Sequence, residues 1–85
     1  PFDAALDWPH AVGGREMDTY HRWMEVVVPA SLLGLPVVAV PAGFSASGVP
    51  AGLQIIGAPR DDLGVLRAAK AYEQATDWLA RKPAL

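Results

Sequence analysis

The sequence predicts a mixed helix and strand fold, α/β or α+β, in the order helix, strand, strand, helix. Three observations carry that prediction. Two apolar runs, residues 37–42 and 51–56, are dense in Val, Ile or Leu and bounded by Gly and Pro, the mark of strands joined by a turn. Before them, Met17, Tyr20, Met24 and Val27 recur at helical spacing. After them, Val65, Ala69, Tyr72, Thr76 and Leu79 form a second apolar stripe, with Arg67, Lys70, Glu73 and Asp77 on the opposite side.

Taken in order, residues 1–14 lack sustained periodicity and carry Pro1, Pro9, Gly13 and Gly14, so they are expected to be an extended, irregular lead-in. Phe2, Leu6 and Trp8 have nothing local to cover them and are expected to pack against another part of a longer protein. Residues 15–28 are expected to be helical, with Glu16 or Asp18 at the positive end of the helix. Pro29 cannot donate in a helix interior, so it ends or kinks that helix. It also suits the start of a short helical turn, 29–33, closed by a left-handed Gly34.

In the strand region, Pro41 lacks an N–H and is expected at a strand end or on an edge. The connection from 43 to 50 contains Ser45, Ser47 and Gly48 and is too long for a two-residue turn. Antiparallel pairing is favoured, because a parallel crossover needs about a dozen residues or more. A second helix is expected from Asp61–Asp62, either of which can cap it, to about Leu79, ended by Lys82 and Pro83. Gly64 weakens its first turn.

With 85 residues, the chain can form one small domain, near the size where a single core is marginal. Its hydrophobic fraction, 52%, exceeds the ~45–50% usual in soluble domains. Such a piece is expected either to oligomerise or to belong to a larger folded unit, and an opening Pro1 rather than Met points the same way. The formal charge of −2 is interspersed, which leaves no footprint for nucleic acid or an anionic membrane. With no Cys, disulfides, thiolate catalysis and Cys-ligated metal are excluded. No apolar run approaches the ~20 residues that span a bilayer, and no signal-peptide pattern opens the chain. A cytoplasmic setting is expected.

The residues that could carry chemistry do not converge. His10 and His21 fall on a predicted loop and a predicted helix, without the i, i+4 spacing that puts two imidazoles on one face. No metal or cofactor is expected. Ser31, Ser45 and Ser47 lie outside any G-x-S-x-G elbow and are expected to serve turns and helix ends. Gly13-Gly14-Arg15 could present N–H groups to an anion, but lacks the third glycine and preceding strand of a dinucleotide site. Tyr20, His21, Arg22, Trp23 and Glu25 are the richest polar-aromatic group, yet on a helix they point in several directions. On these residues alone no catalytic site is expected.

One stretch, residues 33–57, resembles a known family. Leu33-Gly34-Leu35-Pro36, the strand Val37-Val38-Ala39-Val40-Pro41, the turn Ala42-Gly43-Phe44, and the run from Gly48 through Gly52-Leu53-Gln54 to Gly57 are similar to the C-terminal part of amidase-signature enzymes. These are serine amidases, found as free bacterial enzymes and within amidotransferases. The likeness continues through Ala71-Tyr72-Glu73-Gln74-Ala75-Thr76 and Arg81-Lys82-Pro83, and covers residues 26–85 best.

The resemblance implies a mixed β-sheet covered by helices, to which the whole chain, 1–85, contributes one C-terminal segment. It also implies hydrolysis of carbon–nitrogen amide bonds in a small molecule, by a Ser activated through a second Ser across a cis peptide bond and by a Lys. Those catalytic residues belong to a Gly/Ser-rich region that this chain does not contain. The segment would then supply strands and a wall of the substrate pocket and be inactive alone. In amidotransferase-type members an acidic residue before the Leu-Pro glycine contacts the substrate amine. That position is Met24 here, which makes the adjacent Glu25 the substrate-binding candidate, while Ser31 stands where many relatives carry Asn. Exposed strand edges and apolar faces imply a homo-oligomer with no direct nucleic-acid contact and no membrane. The alternative is a stand-alone binding or assembly module that has kept the amidase-like strands.

Overall fold

The computed structural model describes residues 2–82. It is a mixed fold of helices and two small antiparallel sheets, as expected, with more elements than the four predicted. The chain divides into two compact units, Phe2–Leu33 and a second that runs from Gly34 onward.

The first unit opens with a hairpin that the sequence reading placed in an irregular lead-in. Strand β1, Ala11–Val12, pairs antiparallel with β2, Arg15–Glu16. Gly13 and Gly14 form the turn with φ of 57° and 79°, the two positive values that a primed hairpin turn requires. The Met17 N–H donates to the His10 carbonyl at 2.8 Å and extends the pairing. Arg15 and Glu16 are therefore strand residues, which corrects the helix expected from 15 to 28. Thr19 is still extended, and helix α1 occupies only Tyr20–Trp23. A 3-10 turn, Met24–Val26, follows, and α2 restarts at Val28–Leu32. An unbroken helix would need the Pro29 nitrogen to donate to the Glu25 carbonyl, which it cannot do. Pro29 lies in the first turn of α2, and Gly34 with φ 63° closes it as expected. Trp23 centres an aromatic cluster, with Phe2 edge-on at 5.4 Å and Tyr20 at 6.0 Å.

The second unit is a hairpin covered by a helix. Strand β3, Val37–Phe44, pairs antiparallel with β4, Pro50–Ile56, from Val37↔Ile56 to Pro41↔Gly52 and again at Phe44↔Pro50. Between Pro41 and Phe44 the register shifts, so that Ala42 and Gly43 oppose Ala51 alone, a β-bulge. The turn is built by Ser45: its N–H donates to the Val49 carbonyl at 2.8 Å, its Oγ accepts the Val49 N–H at 3.1 Å, and its carbonyl accepts from Gly48, whose φ is 80°. The Gly57 N–H donates to the Pro36 carbonyl. Because hydrogen-bonded and open pairs alternate along an antiparallel ladder, Val38 and Val40 point their backbone groups into the ladder, and Val37, Ala39 and Pro41 point theirs outward. Among the described residues Pro41 is thus on a strand edge, as expected, where its missing N–H costs no bond of the β3–β4 ladder.

Helix α3, Asp62–Ala75, lies on the face that carries Val38, Val40 and Ile55. Val40, Val65 and Ala69 are buried there and form the core of this unit. Asp61 is the cap, its carboxylate accepting the Gly64 N–H at 3.0 Å. The helix stops at Ala75 rather than near Leu79. Thr76 turns extended, and its hydroxyl donates to the Tyr72 carbonyl at 2.9 Å, the acceptor its own N–H would have used. A 3-10 turn, Trp78–Ala80, follows; Pro83 lies outside the described residues. The Tyr72 hydroxyl donates to the Pro41 carbonyl at 3.0 Å and so ties α3 to the outer side of β3. We expect Tyr72→Phe to lower stability by about 1 kcal/mol in urea denaturation, the usual value of one such bond.

Candidate functional site

The one sequence-nominated binding residue, Glu25, lies in the first unit, on the wall of a shallow groove of about 350 Å³. Arg15, Arg22 and Trp23 line it with Glu25, against an apolar floor of Val12, Met17 and Val26. The 3-10 turn sets Glu25 one turn past Arg22, and its carboxylate lies 3.6 Å from the Arg22 guanidinium. Arg22 Nε also donates to Asp18 at 2.6 Å, four residues back. One cation thus bridges two acids. The hydrogen bond from Arg22 holds the Asp18 carboxyl below its ordinary range, and the same bond with the two nearby carboxylates raises the guanidinium.

That shift has a testable sign. A carboxyl whose pKa is depressed by folding adds stability above its unfolded pKa, about 3.9, and loses it as pH falls through the folded value. In an NMR titration the Asp18 carboxyl should therefore protonate below the ordinary aspartate range. Arg22→Gln should raise its midpoint toward that range. Equal midpoints in the two proteins would show that the bridge does not persist in solution.

Trp23 presents a further feature, since its indole N–H is buried without a hydrogen-bond partner among the described residues. The sequence singled out Arg15 only beside the Gly13-Gly14 pair and Trp23 only in a polar-aromatic group expected to point in several directions, and the Asp18–Arg22 pair was missed although its i, i+4 spacing is legible. The groove can hold a polar ligand through a carboxylate acceptor and guanidinium donors. Among the described residues no Ser, Thr, Cys or Lys lines it.

The other nominated groups are scattered. His10 lies tilted against Trp8, ring centres 4.6 Å apart, and His21 meets Tyr20 edge-on at 5.7 Å. Among the described residues no group of three or more His, Cys, Asp or Glu could share a metal ion. Ser45 and Ser47 share a hydrogen bond of 2.9 Å within the β3–β4 turn. Gly13 and Gly14 bend a hairpin rather than open a helix, which removes the anion cradle considered from sequence. Ser31 is exposed on α2.

A second groove, about 200 Å³, lies in the second unit between Pro41, Phe44, Pro50 and the Trp78 turn. The Arg81 guanidinium sits 4.9 Å over the Trp78 ring and 3.3 Å from Asp77. Sequence reasoning missed it because the helix was expected to run through Trp78. Among the described residues no helix is long and apolar enough to cross a membrane.

Comparison with known proteins places these observations. No solved structure gave a significant match. The chain is similar to the A subunit of glutamyl-tRNA(Gln) amidotransferase from Brevibacillus brevis, 46% identical over 74 residues, or 85% of this chain and 15% of that protein. The corresponding protein of Thermodesulfovibrio yellowstonii is 50% identical over 58 residues, 68% of this chain and 12% of that protein. That of Ralstonia nicotianae is 56% identical over 54 residues, 64% of this chain and 11% of that protein. The chain thus spans less than a sixth of the length of these curated relatives. The Amidase family itself matches residues 5–66, a stretch that takes in both hairpins, the Glu25 groove and the start of α3. This chain belongs to the amidase family.

Proposed function

We propose that residues 1–85 form one C-terminal segment of an amidase domain whose parent cleaves the carbon–nitrogen bond of a small-molecule amide in the cytoplasm. The observation that carries this reading is the family match across the β3–β4 hairpin, in which the Gly-Leu-Pro motif leads into β3 and the Gly-Leu-Gln motif lies within β4. In the proposed reaction a Ser hydroxyl adds to the amide carbonyl. Its proton passes through a second Ser to a neutral Lys, backbone N–H groups hold the oxyanion, and the protonated amine leaves an acyl-enzyme that water cleaves. These catalytic residues lie outside this chain. The chain's own Ser and Lys residues support that division: Ser45 and Ser47 bond within a turn, and Lys70 is exposed beside Glu73 at 3.4 Å. The names of the relatives support a parent that works within an amidotransferase.

Within this reading the chain supplies two strands and a covering helix, and Glu25 faces the substrate amine from the groove wall. The test is a chimera in which the 85 residues replace the matching segment of the Brevibacillus brevis relative, reconstituted in its complex. We expect ammonia release from glutamine to be retained, and Glu25→Gln in the chimera to raise KM by about tenfold, the loss of one charge-assisted bond. A folded, reconstituted chimera without activity would overturn the segment assignment, and an unchanged KM would remove Glu25 from the site. The 85-residue chain alone should release no ammonia from glutamine, asparagine or simple amides.

We also propose that the chain by itself self-associates. Val37, Leu53 and Ile56 are exposed on strands that carry no charge, and β3–β4 pairs with no further strand among the described residues. Light scattering at micromolar concentration should show a species larger than one chain.

A further inference from the structure

We propose that Arg22 is a positioning residue for Glu25: clamped on one side by Asp18, its guanidinium fixes the carboxylate that faces the substrate amine. The proposal rests on the reading of Glu25 given above and adds a second residue to that site. Asp18, Arg22 and Glu25 follow one another at i, i+4 and i, i+3 spacing, which puts the three on one side of a helical turn. Arg22 lies in α1, and Glu25 lies in the 3-10 turn that follows it. The whole device falls within residues 18–25, so it needs no contact from elsewhere in the parent.

The two acids do not hold Arg22 in the same way. Asp18 takes two of its N–H groups, Oδ1 accepting from Nε at 2.6 Å and Oδ2 from Nη2 at 3.5 Å. Two bonds from a planar fork to one carboxylate set the orientation of the guanidinium. The remaining nitrogen, Nη1, is thereby held toward Glu25, 3.6 Å from Oε1. That is the distance of an ion pair rather than of a hydrogen bond. It engages one carboxylate oxygen, and a substrate ammonium takes the other. The gain is preorganisation, since a glutamate with free rotamers must be ordered when a ligand binds, at the expense of affinity. The Arg22 and Glu25 side chains are 41% and 64% exposed, so water screens the pair and its effect on binding is a small multiple rather than an order of magnitude. Arg22 works through Glu25 alone, and so acts only on substrates that carry an amine.

The experiment uses the reconstituted chimera with two substrates, glutamine and glutaric acid monoamide, which is glutamine without its α-amine. Arg22→Gln should raise KM for glutamine about threefold to fivefold at unchanged kcat, and leave KM for the monoamide within about 1.5-fold. Arg22→Lys keeps the charge but not the two-bond clamp, so the glutamine KM should stay raised by about twofold. In the Glu25→Gln background, Arg22→Gln should add nothing to the glutamine KM, because the group it positions is gone. Equal rises for both substrates, a rise that persists in the Glu25→Gln background, or full rescue by lysine would each overturn the positioning role while Glu25 keeps its place. An unaltered glutamine KM in Arg22→Gln would do the same. Should Glu25→Gln itself leave that KM unchanged, the reading of Glu25 fails, and the role of Arg22 with it.

Discussion

Gly57→Ala is expected to destabilise the second unit by about 2–3 kcal/mol, read as a lower urea midpoint at unchanged slope. Gly57 has no unusual φ that would call for glycine; space is what calls for it. A Cβ here would run into Cγ2 of Val65, with Pro36 Cγ also close at 3.3 Å. Val65 is 4% exposed and anchors α3 on the strands, so it cannot swing into solvent. The helix would have to lift, and its contact with Val40 and the Gly57–Pro36 hydrogen bond would loosen together. A double mutant separates this from a general loss of packing. Val65→Ala alone should cost about 2 kcal/mol by leaving a cavity, yet it deletes the atom that collides. The pair should then be less destabilised than the sum of the singles by about 1 kcal/mol or more. Strict additivity would show that the close approach of β4 and α3 is not the constraint.

Gly43→Ala should cost about 2 kcal/mol for a different reason. Gly43 is buried in the bulge with φ 100°, a conformation that an L side chain adopts only with strain of about 1–2 kcal/mol. A Cβ would also lie 3.1–3.3 Å from the outer ring carbons of Trp78. The indole can give by a few tenths of an ångström, because it sits on a single 3-10 turn. The conformational part should therefore dominate. Trp78→Leu should recover only a minor share of the loss. Full recovery would instead make the ring contact decisive. Either result reports on the groove in which Trp78 carries Arg81.

Much of the second unit was legible because its signals are local. Val and Ile runs between Pro36 and Gly57 define two strands, and Asp61 before an apolar stripe defines a capped helix start. The bulge was not legible, because it depends on how Ala42 and Gly43 fit against Ala51 across the hairpin. The end of α3 was missed because the stripe through Thr76 and Leu79 continues the helical period, while the Thr76 hydroxyl competes for the Tyr72 carbonyl and ends it. In the first unit the stripe Met17, Tyr20, Met24, Val27 misled. Pairing of Arg15–Glu16 with Ala11–Val12 and the row Val26-Val27-Val28 before Pro29, all poor helix formers, outweighed it. Glu25 was named through resemblance alone. Its groove depends on the hairpin bringing Arg15 to the same wall, which no spacing along the chain reveals.

By itself the sequence determined the class of fold, the family and the two antiparallel strands, since each follows from residue type and order over short distances. Tertiary structure alone decided which backbone groups of Pro41 face away from the ladder, why Gly43 and Gly57 must be glycines, and which side chains share the groove with Glu25. Those outcomes depend on atoms brought together across the chain, where a few tenths of an ångström or a single backbone N–H sets the result.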